Sequence, residues 1–352
     1  MKIFVTGGAG FIGGNFVLKQ ILENGNSILN YDKLTYAANL KTLDSVTTHP
    51  NYQFKHADIC DKNYVKSALN SFRPDAIVHF AAESHVDRSI DNPYIFLETN
   101  CIGTSVLLQE GLNYYESLDR SKKGSFRFLH VSTDEVYGSL GNKGLFMETT
   151  PYDPSSPYSA SKASSDHLVR AWHKTYNFPT LITNCSNNYG PYQFPEKLIP
   201  LMVLNCLNEK ALPVYGKGDN IRDWIYVEDH CYGIYEVLTK GAIGSTYNIG
   251  GNNELSNIDI VKIICQKMDQ LSPRTGRKKY EDLIKFVEDR PGHDFRYAID
   301  TSKINRELNW SPKESFISGI EKTIRWYLDN KNWWQSVNNN SYQQERLGVL
   351  AK

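Results

Sequence analysis

The sequence predicts an α/β protein, a doubly wound parallel sheet with a smaller, partly discontinuous C-terminal lobe that binds substrate. Three observations predict it. Short β-branched and aromatic runs alternate with stretches of helical periodicity through about residue 190. A glycine-rich turn, GGAGFIGG, directly follows the first of those runs and opens the first helical stretch. Beyond that alternation the chain becomes richer in turns, as a second lobe would be.

Lys2 to Thr6 reads as the first strand. Gly8, Gly10 and Gly13 then fit G-x-G-x-x-G, and Gly7, Gly10 and Gly13 fit the looser G-x-x-G-x-x-G. Glycines at this spacing permit a tight turn, close approach of a pyrophosphate and packing of the helix on the sheet, so the fold is expected to be of Rossmann type. Phe11, Val17, Leu18, Ile21 and Leu22 follow at helical spacing. Ser27 to Lys33 is a second strand, and Asp32 stands where a carboxylate can accept from adenosine ribose hydroxyls. That carboxylate repels a 2′-phosphate, which favours NAD over NADP.

Tyr52 to Asp58 is the next strand, Asp61 to Phe72 a helix, and Ala76 to Phe80 a strand. A long helix is expected from Pro93 to Ser117, with proline in its first turn. The strand beginning at Phe126 ends in Ser132, Thr133, Asp134 and Glu135, a hydroxyl and two carboxylates at the sheet edge where ligands bind. Pro151 to Pro157 is expected to be loop. Pro157 then opens a helix that places Tyr158 and Lys162 on one face, where the ammonium would lower the phenol's pKa. Tyr327 and Lys331 repeat that spacing without a preceding strand and are expected on a helix surface.

Thr180 to Pro191 contains a further strand, followed by a helix from Pro195 to Leu207. The helix Val227 to Lys240 and the strand Ser245 to Gly250 are expected to return to the main sheet, and Ser256 to Leu271 is helical. The expected division is a dinucleotide-binding domain over 1–190 with a return segment at 228–250. A second lobe would comprise 191–227 and 251–330, and 331–352 would be a polar tail.

With 39 basic and 39 acidic residues, charge gives no case for nucleic acid or a membrane surface. No apolar run approaches the roughly 20 residues of a membrane span. The six cysteines and nine histidines lack metal-site spacing, so no metal is expected. The strand starting at Lys2 leaves no room for a signal peptide, and a cytoplasmic location is expected.

Together these residues resemble the extended short-chain dehydrogenase/reductases, through GGAGFIG, Asp32, Thr133, Tyr158 and Lys162. Longer strings narrow the resemblance to the dTDP-glucose 4,6-dehydratases. They are DKLTYAAN, FAAESHVDRSI, STDEVYG, NNYGPYQFPEKLIP, RDWIYVEDH and DRPGHD, dispersed over residues 1–330. The Asp-Glu pair in STDEVYG decides between relatives, because epimerising and oxidising enzymes of this fold are expected to lack it.

The resemblance implies an NAD-dependent hydro-lyase of deoxysugar biosynthesis, such as that of dTDP-rhamnose, acting on dTDP-glucose. Thr133, Tyr158 and Lys162 would serve the oxidation, with Asp134 as acid and Glu135 as base. NAD would be held by Gly7, Gly10, Phe11, Ile12 and Gly13, by Asp32, Lys33, Leu34 and Thr35, and by Asp58 and Ile59. Phe80, Ala81, Ala82, Ser84, Thr99, Tyr158, Lys162 and Asn188 would complete that site. Substrate contacts would come from Ser84, Thr133, Asn187, Lys197, Leu198, Pro213, Tyr215, Arg222, Asn257, Asp289, Arg290 and His293. Arg222 suits the pyrophosphate, because a guanidinium forks onto phosphate oxygens. Tyr215 would stack on the base or pack in the core. Family members pair through a helix bundle, which implies a homodimer. The alternatives are a nucleotide-sugar 4-epimerase or another 4,6-dehydratase on the same fold. A non-catalytic NAD-sensing protein is the alternative of a different class.

Overall fold

The computed structural model describes residues 1–289 and 292–338. Strand β1 (Lys2–Thr6) is apolar on both faces and buried along its last four residues, as a strand covered by helices on both sides should be. Helix α1 (Phe11–Leu22), β2 (Ser27–Asp32), β3 (Tyr52–His56), α2 (Lys62–Phe72) and β4 (Ala76–His79) follow. Asp61 starts α2 by accepting from the amides of Asn63 and Tyr64.

The helix expected from Pro93 to Ser117 is present as a continuous helical stretch to Glu116, but its pitch changes along its length. Short helices α3 (Val86–Asp91) and α4 (Pro93–Phe96) lead into a π-helical segment, Leu97–Gly103, before α5 (Thr104–Glu116). The widened turn carries a buried Asn100. Its amide nitrogen donates to the Glu83 carbonyl and Ser161 Oγ, and its Oδ1 accepts from the Glu83 amide. Such bulges are frequent at functional sites.

After α6 (Arg120–Ser125) come β5 (Arg127–Thr133), α7 (Pro157–Tyr176), β6 (Thr180–Cys185) and β7 (Asn187–Tyr189). Ser156 and Ser159 form a capping box at the start of α7, with Pro157 in its first turn. Helix α8 (Leu198–Leu207) begins three residues later than expected. Strands β8 (Leu212–Tyr215) and β9 (Ile221–Tyr226), helix α9 (Val227–Lys240) and strand β10 (Thr246–Ile249) follow. The chain continues through β11 (Glu254–Ser256), α10 (Asn257–Leu271), β12 (Ile284–Val287), α11 (Ser302–Leu308), α12 (Phe316–Asp329) and α13 (Lys331–Asn338).

The main sheet has seven strands in the order β10-β6-β5-β4-β1-β2-β3, all paired in parallel. Helices cover both faces, and Val5 and Phe16 belong to one core while Phe4 and Phe128 belong to the other. Strand β7, expected within the first domain, instead pairs with β9 in a small sheet β11-β9-β7, and β12 pairs with β8. These small sheets, α8, α10 and α12 enclose a further core around Trp224, Ile264 and Ile324.

Two expectations about the C-terminal region are corrected. Tyr327 is fully buried rather than on a helix surface, and its hydroxyl donates to the Gln193 carbonyl. The expected polar tail begins with α13, which buries Trp333 and Trp334; residues 339–352 lie outside the described residues. Trp333 Nε1 donates to Thr42 Oγ1 at 3.1 Å, and Trp334 Nε1 to the Tyr327 carbonyl at 2.9 Å. Trp334→Ala is therefore expected to lower unfolding stability by about 3 kcal/mol. Urea titration would measure the loss, and an unchanged midpoint would contradict this docking.

Candidate active site

A long cleft runs along the carboxyl ends of the main-sheet strands, where open α/β sheets bind ligands. Every residue expected to hold the dinucleotide lines it except Leu34. Leu34, at φ 56°, acts from behind: its amide donates to one Asp32 oxygen at 2.8 Å, and the Ala9 amide donates to the other at 2.9 Å. Burial raises the Asp32 carboxyl above its ordinary range, and those two amides oppose the rise. Lys33 bridges to Asp58 at 2.6 Å, tying the ends of β2 and β3. The glycine turn leaves no space for side chains. A Cβ on Gly7 would lie 2.6 Å from the Ala81 nitrogen, and one on Gly13 would lie 2.2 Å from the Gly7 carbonyl. Gly10 precedes α1 without a side-chain cap, and it lines the cleft with Phe11, Ile12 and Gly13 of the first turn, where uncapped amides favour an anion.

The end of β5 brings the chemistry together. Thr133 Oγ1 accepts the Glu135 amide at 3.3 Å, which starts a short 3₁₀ turn from Asp134 to Tyr137. The same hydroxyl donates to Asp134 Oδ1 at 3.4 Å, and Thr133 lines the cleft together with Tyr158. Asp134 is 1% exposed, and its Oδ2 has no hydrogen-bond partner among the described residues. Burial, followed by the charges of Glu135 and Asp223, holds its carboxyl well above the usual range. Glu135 is only half-buried.

Tyr158 and Lys162 sit in the first turns of α7, both buried and both facing the cleft. Here the structure corrects one expectation. Burial and then Glu135 push the phenol well above its ordinary value, and the Lys162 ammonium is aimed elsewhere. Lys162 Nζ donates to the Val131 carbonyl at 2.9 Å and lies 3.3 Å from His130 Nε2. Burial lowers the Lys162 pKa, and Asp166 acts against that.

His130 and Asp166 escaped the sequence reading. His130 Nε2 is 3.3 Å from Asp166 Oδ1, and Asp166 Oδ2 accepts the Tyr152 hydroxyl at 2.7 Å. Burial pushes His130 down to about 4, so the ring is neutral and the Asp166 charge is the one that balances Lys162. The only available signal was the four-residue spacing of Lys162 and Asp166 on one helix.

The expected substrate residues divide. Ser84, Thr133, Asn187 and Lys197 line the cleft, and Lys197 Nζ donates to the Ser84 carbonyl at 3.1 Å. Asn187 Oδ1 is buried without a partner among the described residues. Leu198, Pro213, Tyr215, Arg222, Asn257, Asp289 and His293 do not line it. Tyr215, Asp289 and His293 form a second group. His293 Nδ1 is 2.6 Å from Asp289 Oδ1, and its ring stands edge-on to Tyr215 at 6.5 Å. Arg222, 4% exposed, donates to the carbonyls of Ile221, Asp294 and Phe295 and lies 4.2 Å from the centre of the Tyr297 ring. Arg290 lies outside the described residues. Among the described residues, no cluster of His, Cys, Asp and Glu suited to a metal is found, and no helix is long and apolar enough to cross a membrane.

The arrangement joins a dinucleotide-type cleft to a buried acid, a second carboxylate and a tyrosine. Residues 4–323 match the family model described as GDP-mannose 4,6 dehydratase. An Escherichia coli dTDP-glucose 4,6-dehydratase is 57% identical over 361 residues, covering 99% of this chain and 100% of that protein. The dTDP-glucose 4,6-dehydratase of Neisseria meningitidis serogroup B is 57% identical over 351 residues, covering 99% of each. Among solved structures, DesIV from Streptomyces venezuelae, a dTDP-glucose 4,6-dehydratase with NAD and TYD bound, superposes with a TM-score of 0.87. It is 45% identical, over 96% of this chain and 100% of that one. The full-length relatives are narrower than the family model, and with them the chain belongs to the dTDP-glucose 4,6-dehydratase family.

Proposed function

We infer that the chain dehydrates dTDP-glucose to dTDP-4-keto-6-deoxyglucose by internal redox, with NAD kept in place throughout. The observation that carries this is the Asp134–Glu135 pair beside Thr133 and Tyr158, one carboxyl buried with its pKa raised well above the usual range, the other half-buried. The glycine turn, the open first turn of α1 and the amide-held Asp32 fit a dinucleotide. NAD held there would supply the hydride acceptor for sugar position 4 and, once reduced, the hydride donor for position 6.

The chain's own residues move the protons. Tyr158 accepts the proton of the 4-hydroxyl, with Thr133 hydrogen-bonding the oxygen of that hydroxyl. A phenolate in so buried a place requires positive charge, and the buried Lys162, one turn along α7 and hydrogen-bonded to the Val131 carbonyl, is the cation proposed to supply it through space rather than by direct contact. The 4-ketone acidifies position 5, from which Glu135 takes a proton. Asp134, kept protonated by burial, gives its proton to the departing 6-hydroxyl, which leaves as water. A proton then returns to position 5. Arg222 is proposed for the pyrophosphate end, Tyr215 for the base, and Asn187 and Lys197 for the sugar. The exposed Tyr94, Leu97 and Ile102 lie along the helical stretch from α4 to α5 and support pairing of two copies through it. Six unpaired cysteines suit a reducing cytoplasm.

Purified protein incubated with dTDP-glucose is expected to yield the 4-keto-6-deoxy product, identified by mass and NMR. Formation of dTDP-galactose instead would make the chain a 4-epimerase and overturn the reading. Gly13→Ala, which forces a Cβ onto the Gly7 carbonyl, is expected to weaken NAD binding by about tenfold or more, measured by fluorescence titration.

A further inference from the structure

Three segments that are distant in sequence meet at the cleft. The turn after β2 contributes Tyr36, α3 contributes Arg88, and the loop before α8 contributes Glu196. Glu196 Oε1 accepts the Tyr36 hydroxyl at 2.9 Å, and Oε2 accepts Arg88 Nε at 3.0 Å. The Arg88 guanidinium lies 3.8 Å from the centre of the Tyr36 ring, and Phe194 meets that ring edge-on at 5.6 Å. His85 Nε2 lies 4.0 Å from Glu196 Oε2. The Glu196 side chain is only 2% exposed, and Glu196 lines the cleft with Thr35, Ala37, Ser84 and Phe194.

A buried carboxylate is costly unless it is paired and hydrogen-bonded. Here the pairing links two segments of the main-sheet side to one segment leading into the second lobe. None of these three side chains has a part in the proton transfers. Internal redox has a particular need that such a link would meet. If the reduced cofactor left before returning its hydride, the ketone would be stranded and the cycle would fail.

We propose that Glu196 is a positioning residue that, through Tyr36 and Arg88, clasps the cleft over the bound dinucleotide and retains it across both hydride steps. The inference rests on the NAD-dependent dehydratase reading given above. Opening the cleft to release the dinucleotide requires these bonds to break together, so each one slows dissociation.

The test is the release rate of NAD from the holoenzyme, followed by displacement with excess labelled NAD. Glu196→Ala and Tyr36→Phe should each speed release about tenfold or more, the factor carried by one charge-assisted hydrogen bond. Because Glu196→Ala already removes the acceptor of the Tyr36 hydroxyl, the double variant should release NAD no faster than Glu196→Ala alone. Turnover of the variants should also decay over successive cycles in NAD-free buffer and recover on adding NAD. Unchanged release rates would overturn the proposal. So would effects that simply multiply in the double variant, since independent loosening is additive in free energy. A wild-type protein that binds NAD but forms no keto-deoxy product would overturn the dehydratase reading while leaving the release-rate result decisive for the clasp. A wild-type protein that binds no NAD would overturn both.

Discussion

Tyr158→Phe is expected to reduce turnover by roughly 10²–10⁴-fold, the contribution of a positioned general base, while NAD remains bound. The substitution removes one oxygen from a site that is otherwise packed. The ring keeps its edge-on contact with Phe96 at 6.3 Å, and α7 keeps its capping box. What is lost is a buried phenol that lines the cleft with Thr133, Asp134 and Glu135. With no acceptor for the 4-hydroxyl proton, oxidation at position 4 should fail, so mixing with dTDP-glucose should produce no reduced-nicotinamide absorbance. If that absorbance rises at the wild-type rate, Tyr158 is not the base.

The carboxylates should fail at a later point. Glu135→Gln is expected still to oxidise position 4 slowly but to stall before water is lost, with keto-deoxy product formed roughly 10²–10⁴ times more slowly. Reduced-nicotinamide absorbance should therefore build up in the variant and persist. Rapid product formation would refute the base assignment. Asp134→Asn should stall at the same stage, because the amide cannot deliver a proton to the departing hydroxyl.

Asp134→Asn also has a consequence for stability. Burial and neighbouring carboxylates raise the folded-state pKa of Asp134 above the unfolded value of about 3.9. The wild-type protein therefore loses stability as pH rises from that value through the folded-state pKa, and asparagine does not titrate. The variant should gain relative stability across that window, and the difference should level off above it. A difference that stays flat with pH in urea titrations would contradict a buried, neutral Asp134. Activity and stability are then opposed at this one position, as expected where a buried acid is kept for catalysis.

Much of the site could be read along the chain because its chemistry is local. A glycine turn between a strand and a helix, an acid ending the next strand, and a hydroxyl followed by two carboxylates are all short-range arrangements. Tyr158 and Lys162 share a face through helix geometry alone. The parallel sheet followed from alternation for the same reason, since each strand and helix carries its own periodicity.

Other features depend on partners far away in sequence. The inward turn of Asn100 is set by Glu83 and Ser161, and no periodicity announces the π-helical segment that holds it. Lys162 has the spacing to support Tyr158, but folding aims its ammonium at Val131 and His130. Arg222 reads as a phosphate ligand from its type alone, and only the fold shows that β9 also sets its guanidinium against three backbone carbonyls and the Tyr297 ring.

The parallel sheet, the glycine turn and the candidate reacting groups could all be read along the chain, because they depend on residue type and short spacing. Only the packed fold shows which of the two carboxyls is buried, which charge lies beside Lys162, and which side chains meet at Glu196. Proton affinity depends on desolvation and on charges brought near by folding, and neither is a property of the linear chain. Glu196 shows this most clearly: its partners lie 160 and 108 residues away, and only the packed fold brings them to one carboxylate.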